Sequence, residues 1–499
     1  MTEHARFWTP DGIRAAAGGT WLARPDPGSE QTLTGVAIDS RAAHPGNIFV
    51  AIKGENTDGH LYVAEAAHAG ASLVIVSADV DIPSIGSASV LRVSDTRAAL
   101  LRLGAAWRRL LEGTRVIAVV GSNGKTTTVR LIDAALGSAM RGSASIKSFN
   151  NEIGVPLTIL RAKRGDQYLV CEVGTSSPGE IATLSQVVQP DVAVITSIGR
   201  EHLEFFGSVK GVATEESSVL DHLRPGGLGV VTAESAELDD VLKARSLRSG
   251  TGSSPTMIRF GTSSTADIRV VSVEQDEAGL EFTLNDRARF RIPLIGAHNA
   301  CNAAAAVAVA RRLRLSDEDI HRGLASARGE SMRLERTRIG DIDLINDAYN
   351  ANPDSVLAAI DALGALKPKP GGGRVLVLGD MLELGPDGPS LHDDVLRAVA
   401  GESGIDRVVL VGPMMSARAD LLASRGDRAR VLALADSTPE QAARAASMVR
   451  PGDVVLLKGS RGMRLERIAE AIATRHTSSD QHTPRSHSAE PAQTRSVTA

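Results

Sequence analysis

Eight consecutive residues, Gly121-Ser122-Asn123-Gly124-Lys125-Thr126-Thr127-Thr128, combine the side-chain types that hold a nucleotide's phosphates. Glycines allow a tight turn that brings backbone N–H groups to an anion, and the positive end of a following helix dipole adds to them. Lys125 is expected to reach the β- and γ-phosphates of ATP, and the Thr126 hydroxyl to ligate Mg²⁺. Longer loops of this kind carry a glycine five positions before the Gly124-Lys125 pair. Val119 stands there, so this is the shorter G-x-x-G-K-[ST] form. Two further groups suit the same chemistry: Glu172 near the end of one apolar run and His202 just past another. A lone glutamate at a strand end is more often structural, but two such groups around a phosphate loop point to metal ligands. Ser40 and Arg41, in Asp39-Ser40-Arg41, form either an ordinary polar turn or a grip on an anionic, phosphate-bearing ligand. His298 and Asn299 open an alanine-rich stretch, where they either cap a helix or face a ligand.

Positioning these residues requires parallel strands with helices between them. Val116–Val120 reads as a buried strand that stops at Gly121, and a helix opens at Lys125. Gln167–Val173 and Asp191–Ser197 read as neighbouring strands, which places Glu172 and His202 at carboxyl ends facing the loop. Before the loop, strands are expected at Thr34–Ile38, Ile48–Ile52 and Ser72–Val76, with a helix at Leu61–Gly70. Residues 267–295 alternate as strands. Beyond them, strands near Leu344-Ile345, Val375–Leu378, Val408–Val411 and Val454–Leu457 alternate with helices. The fold class is therefore α/β with three domains. These are a small N-terminal α/β domain (1–112), a central parallel sheet of P-loop ATPase type (113–330) and a C-terminal Rossmann-like domain (331–475). Residues 476–499 are polar and should form a disordered tail.

Composition excludes several function classes. A net charge of −4 leaves no electrostatic footprint for nucleic acid, and 3% aromatics do not make a base-stacking platform. No apolar run approaches the roughly 18 residues of a membrane span. The N-terminus carries an acid and no apolar core, so it does not read as a signal peptide. Cys171 and Cys301 each lie in an apolar run, as reduced buried thiols do in a cytoplasmic protein.

Six spaced motifs now join the phosphate loop, in order: Asn-Asn-Glu-Ile-Gly-Val-Pro-Leu (150–157), Glu-Val-Gly-(x)4-Gly-Glu-Ile (172–181), His-Leu-Glu-Phe-Phe-Gly (202–207), Asp-Ala-Tyr-Asn-Ala-Asn-Pro-Asp-Ser (347–355), Leu-Gly-Asp-Met-Leu-Glu-Leu-Gly (378–385) and Lys-Gly-Ser-Arg (458–461). Together, over about residues 34–470, the chain resembles the Mur ligases, the amino-acid-adding enzymes of peptidoglycan synthesis. The motifs fit the branch that adds a dipeptide. The Asp-Asn-Pro-Arg string expected of the sister enzyme that adds the third amino acid is missing.

The resemblance implies an ATP- and Mg²⁺-dependent amide ligase with UDP-N-acetylmuramoyl-tripeptide and D-alanyl-D-alanine as substrates, acting as a cytoplasmic monomer. It implies ATP contacts from Gly121 through Thr127, from His298 and Asn299 at the adenine, from Asp347 at the ribose, and from Arg333 reaching the phosphates out of the last domain. It assigns Ser40, Arg41 and Asn151 to the UDP-muramoyl peptide, and Tyr349, Asn350 and Asn352 to the dipeptide. Glu172 and His202 would hold a second Mg²⁺. Two rivals remain: a ligase of this group with another acceptor, and a non-catalytic nucleotide-binding regulator.

One position departs from the family. Mur ligases usually carry, in a Gly-Val-Ala-x-x-Lys stretch, a lysine whose carbamate helps hold the second Mg²⁺. Here the stretch is Gly211-Val212-Ala213-Thr214-Glu215-Glu216. Glu216 is expected to supply that carboxylate, directly or through a water. Glu215 is expected to matter little. A solvated acidic pair on a helix face is the alternative.

Overall fold

The computed structural model describes residues 3–24, 33–248, 255–402, 404–422 and 430–477. The stretch read as a disordered tail lies outside the described residues from 478 on. Its first two residues instead finish the helix Glu466–Thr477.

Three sheets organise these residues. The first has five strands in the order Thr20–Ala23, Ser89–Arg92, Leu73–Val76, Ile48–Val50 and Val36–Ala37. All pair in parallel except Thr20–Ala23, an antiparallel edge that the sequence reading missed. The strands are shorter than expected. Thr34–Ile38 shrinks to two residues, and Leu61–Gly70 splits into a 3-10 turn, Gly59–Tyr62, and a helix, Val63–His68.

The second sheet has nine strands. Arg115–Val120 lies between Tyr168–Glu172 and Val192–Ile195, with Val119 opposite Glu172 and Val120 opposite Ile195. This register puts Glu172 and the segment after Ile195 on either side of the phosphate loop. Ile268–Asp276 joins the sheet in parallel beside Thr256–Gly261, and Gly279–Leu284 and Arg289–Ile292 extend it antiparallel. On one face, Thr96–Leu110 shares a continuous apolar core with the first sheet, including Leu73, Leu91, Leu103 and Trp107. Asp95 caps this helix by accepting from the N–H groups of Arg97 and Ala98. On the other face, Lys125–Gly137 packs against His298–Arg312, whose seven alanines from Ala300 to Ala310 are all buried.

The third sheet has six strands: Glu335–Ile339, Ile342–Asp347, Val454–Lys458, Arg374–Gly379, Arg407–Val411 and Arg430–Leu434. Glu335–Ile339 is antiparallel and the others are parallel. Contacts group the chain into two compact units. The first comprises Met1–Leu334 with Asn352–Ala358 and Leu382–Leu391; the second comprises Glu335–Ala351, Ala359–Met381 and the chain from His392. The first two sheets share one unit because they share the core around Thr96–Leu110.

Arg108 ties that helix to the central sheet. Its side chain is 2% exposed and donates to the carbonyls of Val188 and Gln189 and to Asp191 Oδ2 at 3.1 Å. Asp191 in turn accepts the Val116 N–H at the start of the phosphate-loop strand. Arg108→Ala removes this donor from the Val188 and Gln189 carbonyls and the buried cation from Asp191, and should cost about 3 kcal/mol or more, read as a lower denaturant midpoint.

Candidate active site

Gly121 leaves its strand with φ +125°, and a Cβ on it would sit 2.3 Å from Thr196 Oγ1. Only glycine fits there. The loop is then stitched to the segment after Val192–Ile195. Ser122 N–H donates to Ser197 O, Asn123 N–H to Ser197 Oγ, and Thr196 Oγ1 to Asn123 O at 2.6 Å. Ser122 Oγ accepts the Gly199 N–H. The N–H groups of Gly121, Ser122 and Asn123 are thus committed to protein acceptors. The anion-facing donors are those of the first turn of Lys125–Gly137, which lack intrahelical acceptors by helix geometry.

Lys125 folds back over its own loop. Nζ donates to Gly121 O at 2.5 Å and Ser122 O at 3.2 Å, and lies 3.5 Å from Glu201 Oε2. Burial pulls its pKa down, but Glu201, Glu216 and Glu172 outweigh burial and leave it raised. Glu172 is fully buried. Its Oε1 accepts from Asn150 Nδ2 at 3.0 Å, while Oε2 makes no well-formed hydrogen bond among the described residues. Burial raises its pKa against the opposing pull of Arg333 and Lys125. Thr126, also fully buried, adds a hydroxyl beside Glu172 and lies 3.4 Å from Ser148 Oγ.

His202 adopts φ +51° and faces two carboxylates, with Nδ1 2.7 Å from Glu383 Oε2 and Nε2 3.7 Å from Glu201 Oε1. Burial lowers its pKa, but Glu383 and Glu201 together leave it raised. Arg200, two residues earlier, is gripped by Asp354 through its backbone N–H, Nε and Nη2.

Glu215 and Glu216 are both buried, which removes the reading of a solvated pair. Glu216 Oε2 accepts the Gly121 N–H at 2.8 Å. Burial pushes its pKa up to about 7, against Lys125, which pulls it down. Glu215 corrects the expectation that it matters little. Its two oxygens accept the N–H groups of Gly179 and Ile181 and so cap the helix Glu180–Val188. Neighbours on one helix face different partners because adjacent side chains diverge by about 100°.

The other expected residues fall into place unevenly. Asn299 is buried, donating to Ile295 O and accepting from Asn302, at the start of His298–Arg312; the helix N-cap makes no side-chain bond. His298 is exposed at the same end. Arg333, expected to reach in from the last domain, packs within the first unit. Its Nη2 donates to Ser148 Oγ at 3.1 Å, and it lines a groove with Thr127, Arg130, Ile295, Asn299 and Glu330. Asn151 Oδ1 accepts the N–H groups of Ile153 and Gly154 at the start of Gly154–Arg161. Asn352 is spent on protein, with Nδ2 on Asn123 Oδ1 at 2.9 Å and Oδ1 on Ser355 N–H. Ser40 is buried, while Arg41 is 82% exposed and paired with Asp39 through Nε and Nη2. Asp347 and Asn350 belong to the second unit, where Lys458 Nζ lies 3.0 Å from Asp347 Oδ2 and donates to Asn350 O at 2.6 Å. Tyr349, in the same unit, is partly exposed.

Residues that sequence reasoning missed are those acting through others: Ser148, Ser197, Glu201, Asp354 and Glu383. Glu201 alone carried a local signal, as the acid immediately before His202.

A glycine turn, a lysine, buried carboxylates and an imidazole at parallel strand ends define a nucleotide-phosphate site. Profiles of three Mur ligase domains cover the chain: the "Mur ligase family, catalytic domain" over residues 32–108, the "Mur ligase middle domain" over 119–310 and the "Mur ligase, glutamate ligase domain" over 332–461. The chain belongs to the Mur ligase family and is a three-domain α/β protein. It is 38% identical over 362 residues to a Bacillus subtilis protein named UDP-N-acetylmuramoyl-tripeptide–D-alanyl-D-alanine ligase, spanning 72% of this chain and 76% of that one. A crystal structure of MurF from Acinetobacter baumannii superposes with a TM-score of 0.80 at 30% identity, over 94% of this chain and 99% of that one. The MurF ligase of Thermotoga maritima, solved in complex with ADP, gives 0.73 at 26% identity, over 89% and 98%.

Two measurements check this geometry. Glu215→Ala should cost about 1–2 kcal/mol, as loss of a helix cap does, seen as a lower melting temperature. Glu216 sets a pH dependence in the nucleotide-free protein. Its carboxyl is raised on folding, so its contribution to stability is fully present below its ordinary 4.5 and lost as pH rises through about 7. Glu216→Gln should therefore match the parent near pH 4.5 and exceed it by about 1–3 kcal/mol above pH 7, read from denaturant midpoints across pH.

Proposed function

We propose that this chain joins D-alanyl-D-alanine to UDP-N-acetylmuramoyl-tripeptide at the expense of ATP, giving the UDP-muramoyl-pentapeptide of peptidoglycan synthesis. The observation that carries this reading is the similarity to the Bacillus subtilis ligase across three-quarters of its length. The phosphate-site geometry supports it. The proposal includes a cytoplasmic reaction carried out by a monomer. Among the described residues no helix is long and apolar enough to cross a membrane.

A carboxylate is a poor electrophile, so an amine does not attack it at neutral pH. Attack of the substrate carboxylate on the γ-phosphorus of ATP breaks the bond to the β-phosphate oxygen, giving an acyl phosphate and ADP. The dipeptide amine attacks its carbonyl carbon, the bond to phosphate breaks, and the amine's proton passes to solvent. The protein's task is positioning and charge neutralisation. Lys125 leaves its loop carbonyls for the β- and γ-phosphates, and the first helical turn donates to the same oxygens.

The residues fit Mg²⁺. Glu172 is buried with one oxygen that makes no well-formed hydrogen bond among the described residues, and the Thr126 hydroxyl lies beside it. Among the described residues no three His, Cys, Asp or Glu side chains gather as a self-sufficient cage. That suits a cation held by one or two carboxylates together with water and phosphates. When bound, Mg²⁺ offsets negative charge on the phosphates. Thr126, Glu172, His202 and Glu216 are its proposed holders. Glu216 also fixes the Gly121 N–H, so its negative charge and its loop contact act together.

Phosphate release with a panel of UDP-muramoyl peptides, each with D-alanyl-D-alanine or single amino acids, tests the reading. Turnover that requires both the tripeptide and the dipeptide is expected; turnover with a single amino acid instead overturns it. Lys125→Ala should lower the melting temperature, because it takes a cation from the buried acids, and should lose at least about a hundredfold in rate at a temperature where it is still folded. Glu216→Gln should raise the Mg²⁺ concentration for half-maximal rate, with no response of the parent to added bicarbonate. Equal Mg²⁺ curves would remove Glu216 from the site.

A further inference from the structure

We propose that Glu383 is a positioning residue for His202, holding the proton on Nδ1 so that Nε2 faces the phosphate site with its lone pair. This rests on the reading of His202 as a holder of the phosphate-bound cation.

Glu383 lies far along the chain, in the segment Leu382–Leu391, yet that segment belongs to the unit that contains the phosphate loop. Its Oε2 is 2.7 Å from His202 Nδ1, and the atoms are too poorly aligned for a straight hydrogen bond, so the two groups form a close pair. Such bonds often straighten only when the ligand binds. The turn is built to make this approach. Glu383 has φ +63° and His202 has φ +51°, so both partners occupy a backbone region that side chains other than glycine rarely adopt. Strain of this kind persists where the surroundings over-determine it. Gly385 seats the turn against the short helix Leu203–Phe206, where a Cβ would come within 3.0 Å of Glu204 Cα.

The remaining groups around the ring fit the same orientation. Nε2 faces Glu201, which also meets Lys125, so this edge points to the phosphate loop. Among the described residues, the opposite nitrogen pairs with Glu383. A carboxylate on one imidazole nitrogen fixes the tautomer and strengthens the other nitrogen as a ligand. Arg200, held by Asp354, fixes the backbone of the same segment, and Glu383 fixes the ring.

Two readouts test the proposal on the full-length protein. Long-range ¹H–¹⁵N spectra without metal or nucleotide, with His202 assigned by its loss in His202→Gln, report which nitrogen carries the proton. The neutral ring should be protonated on Nδ1 in the parent and move toward Nε2 in Glu383→Ala. Phosphate release across Mg²⁺ should show half-saturation raised about tenfold or more in Glu383→Ala, with kcat at saturating Mg²⁺ and KM for the dipeptide nearly unchanged. Glu383→Gln keeps an acceptor oxygen and should restore the tautomer and part of the Mg²⁺ response. A parent ring protonated on Nε2 overturns the proposal. So does a Glu383→Ala protein that merely melts earlier, with tautomer and Mg²⁺ response unmoved. If His202→Gln shifts the Mg²⁺ response and Glu383→Ala does not, Glu383 alone is wrongly assigned. If neither shifts it, the ligand role of His202 falls, and this proposal with it.

Discussion

One ammonium group lies among three buried carboxylates, with Arg333 as a second cation acting on Glu172. Glu172, Glu201 and Glu216 all act on Lys125 at the strand ends, in a place where water is scarce. Buried charges without partners are among the costliest features a fold can carry. The phosphate loop therefore answers to electrostatics as well as to backbone geometry. Lys125 holds the carboxylates, Glu216 holds the Gly121 N–H, and Ser197 holds Ser122 and Asn123. The first helical turn is left to face the anion. Any change in the position of Lys125 therefore alters the charge balance of all three acids at once.

The phosphate loop and its flanking strands were legible in the sequence because they combine three independent signals: an apolar run, a glycine turn and a helix start. The carboxyl-end positions of Glu172 and His202 followed from strand boundaries alone. The first sheet was less legible. Its strands are two to four residues long, too short for a pattern, and the edge strand Thr20–Ala23 pairs with residues some seventy positions away.

Side-chain partnerships were the least legible layer. Nothing local separates Glu215 from Glu216, yet one caps a helix and the other meets Gly121, because helix rotation assigns each its neighbour. Asn151 and Asn352 were read as substrate contacts from their motifs, and both amides are used to cap helix starts. Glu383 and Asp354 reach back across more than 150 positions, a separation that no local spacing encodes.

The alanine-rich helix His298–Arg312 has a consequence for the nucleotide groove beside it. From Ala300 to Ala310 its alanines are buried, and Asn299 and Asn302 are the polar groups at its phosphate-loop end. Alanine has no rotamers, so this helix meets Lys125–Gly137 with short, fixed methyl groups. A seam of that kind has no side chains that can re-pack, so the spacing of these two helices changes only if a backbone moves.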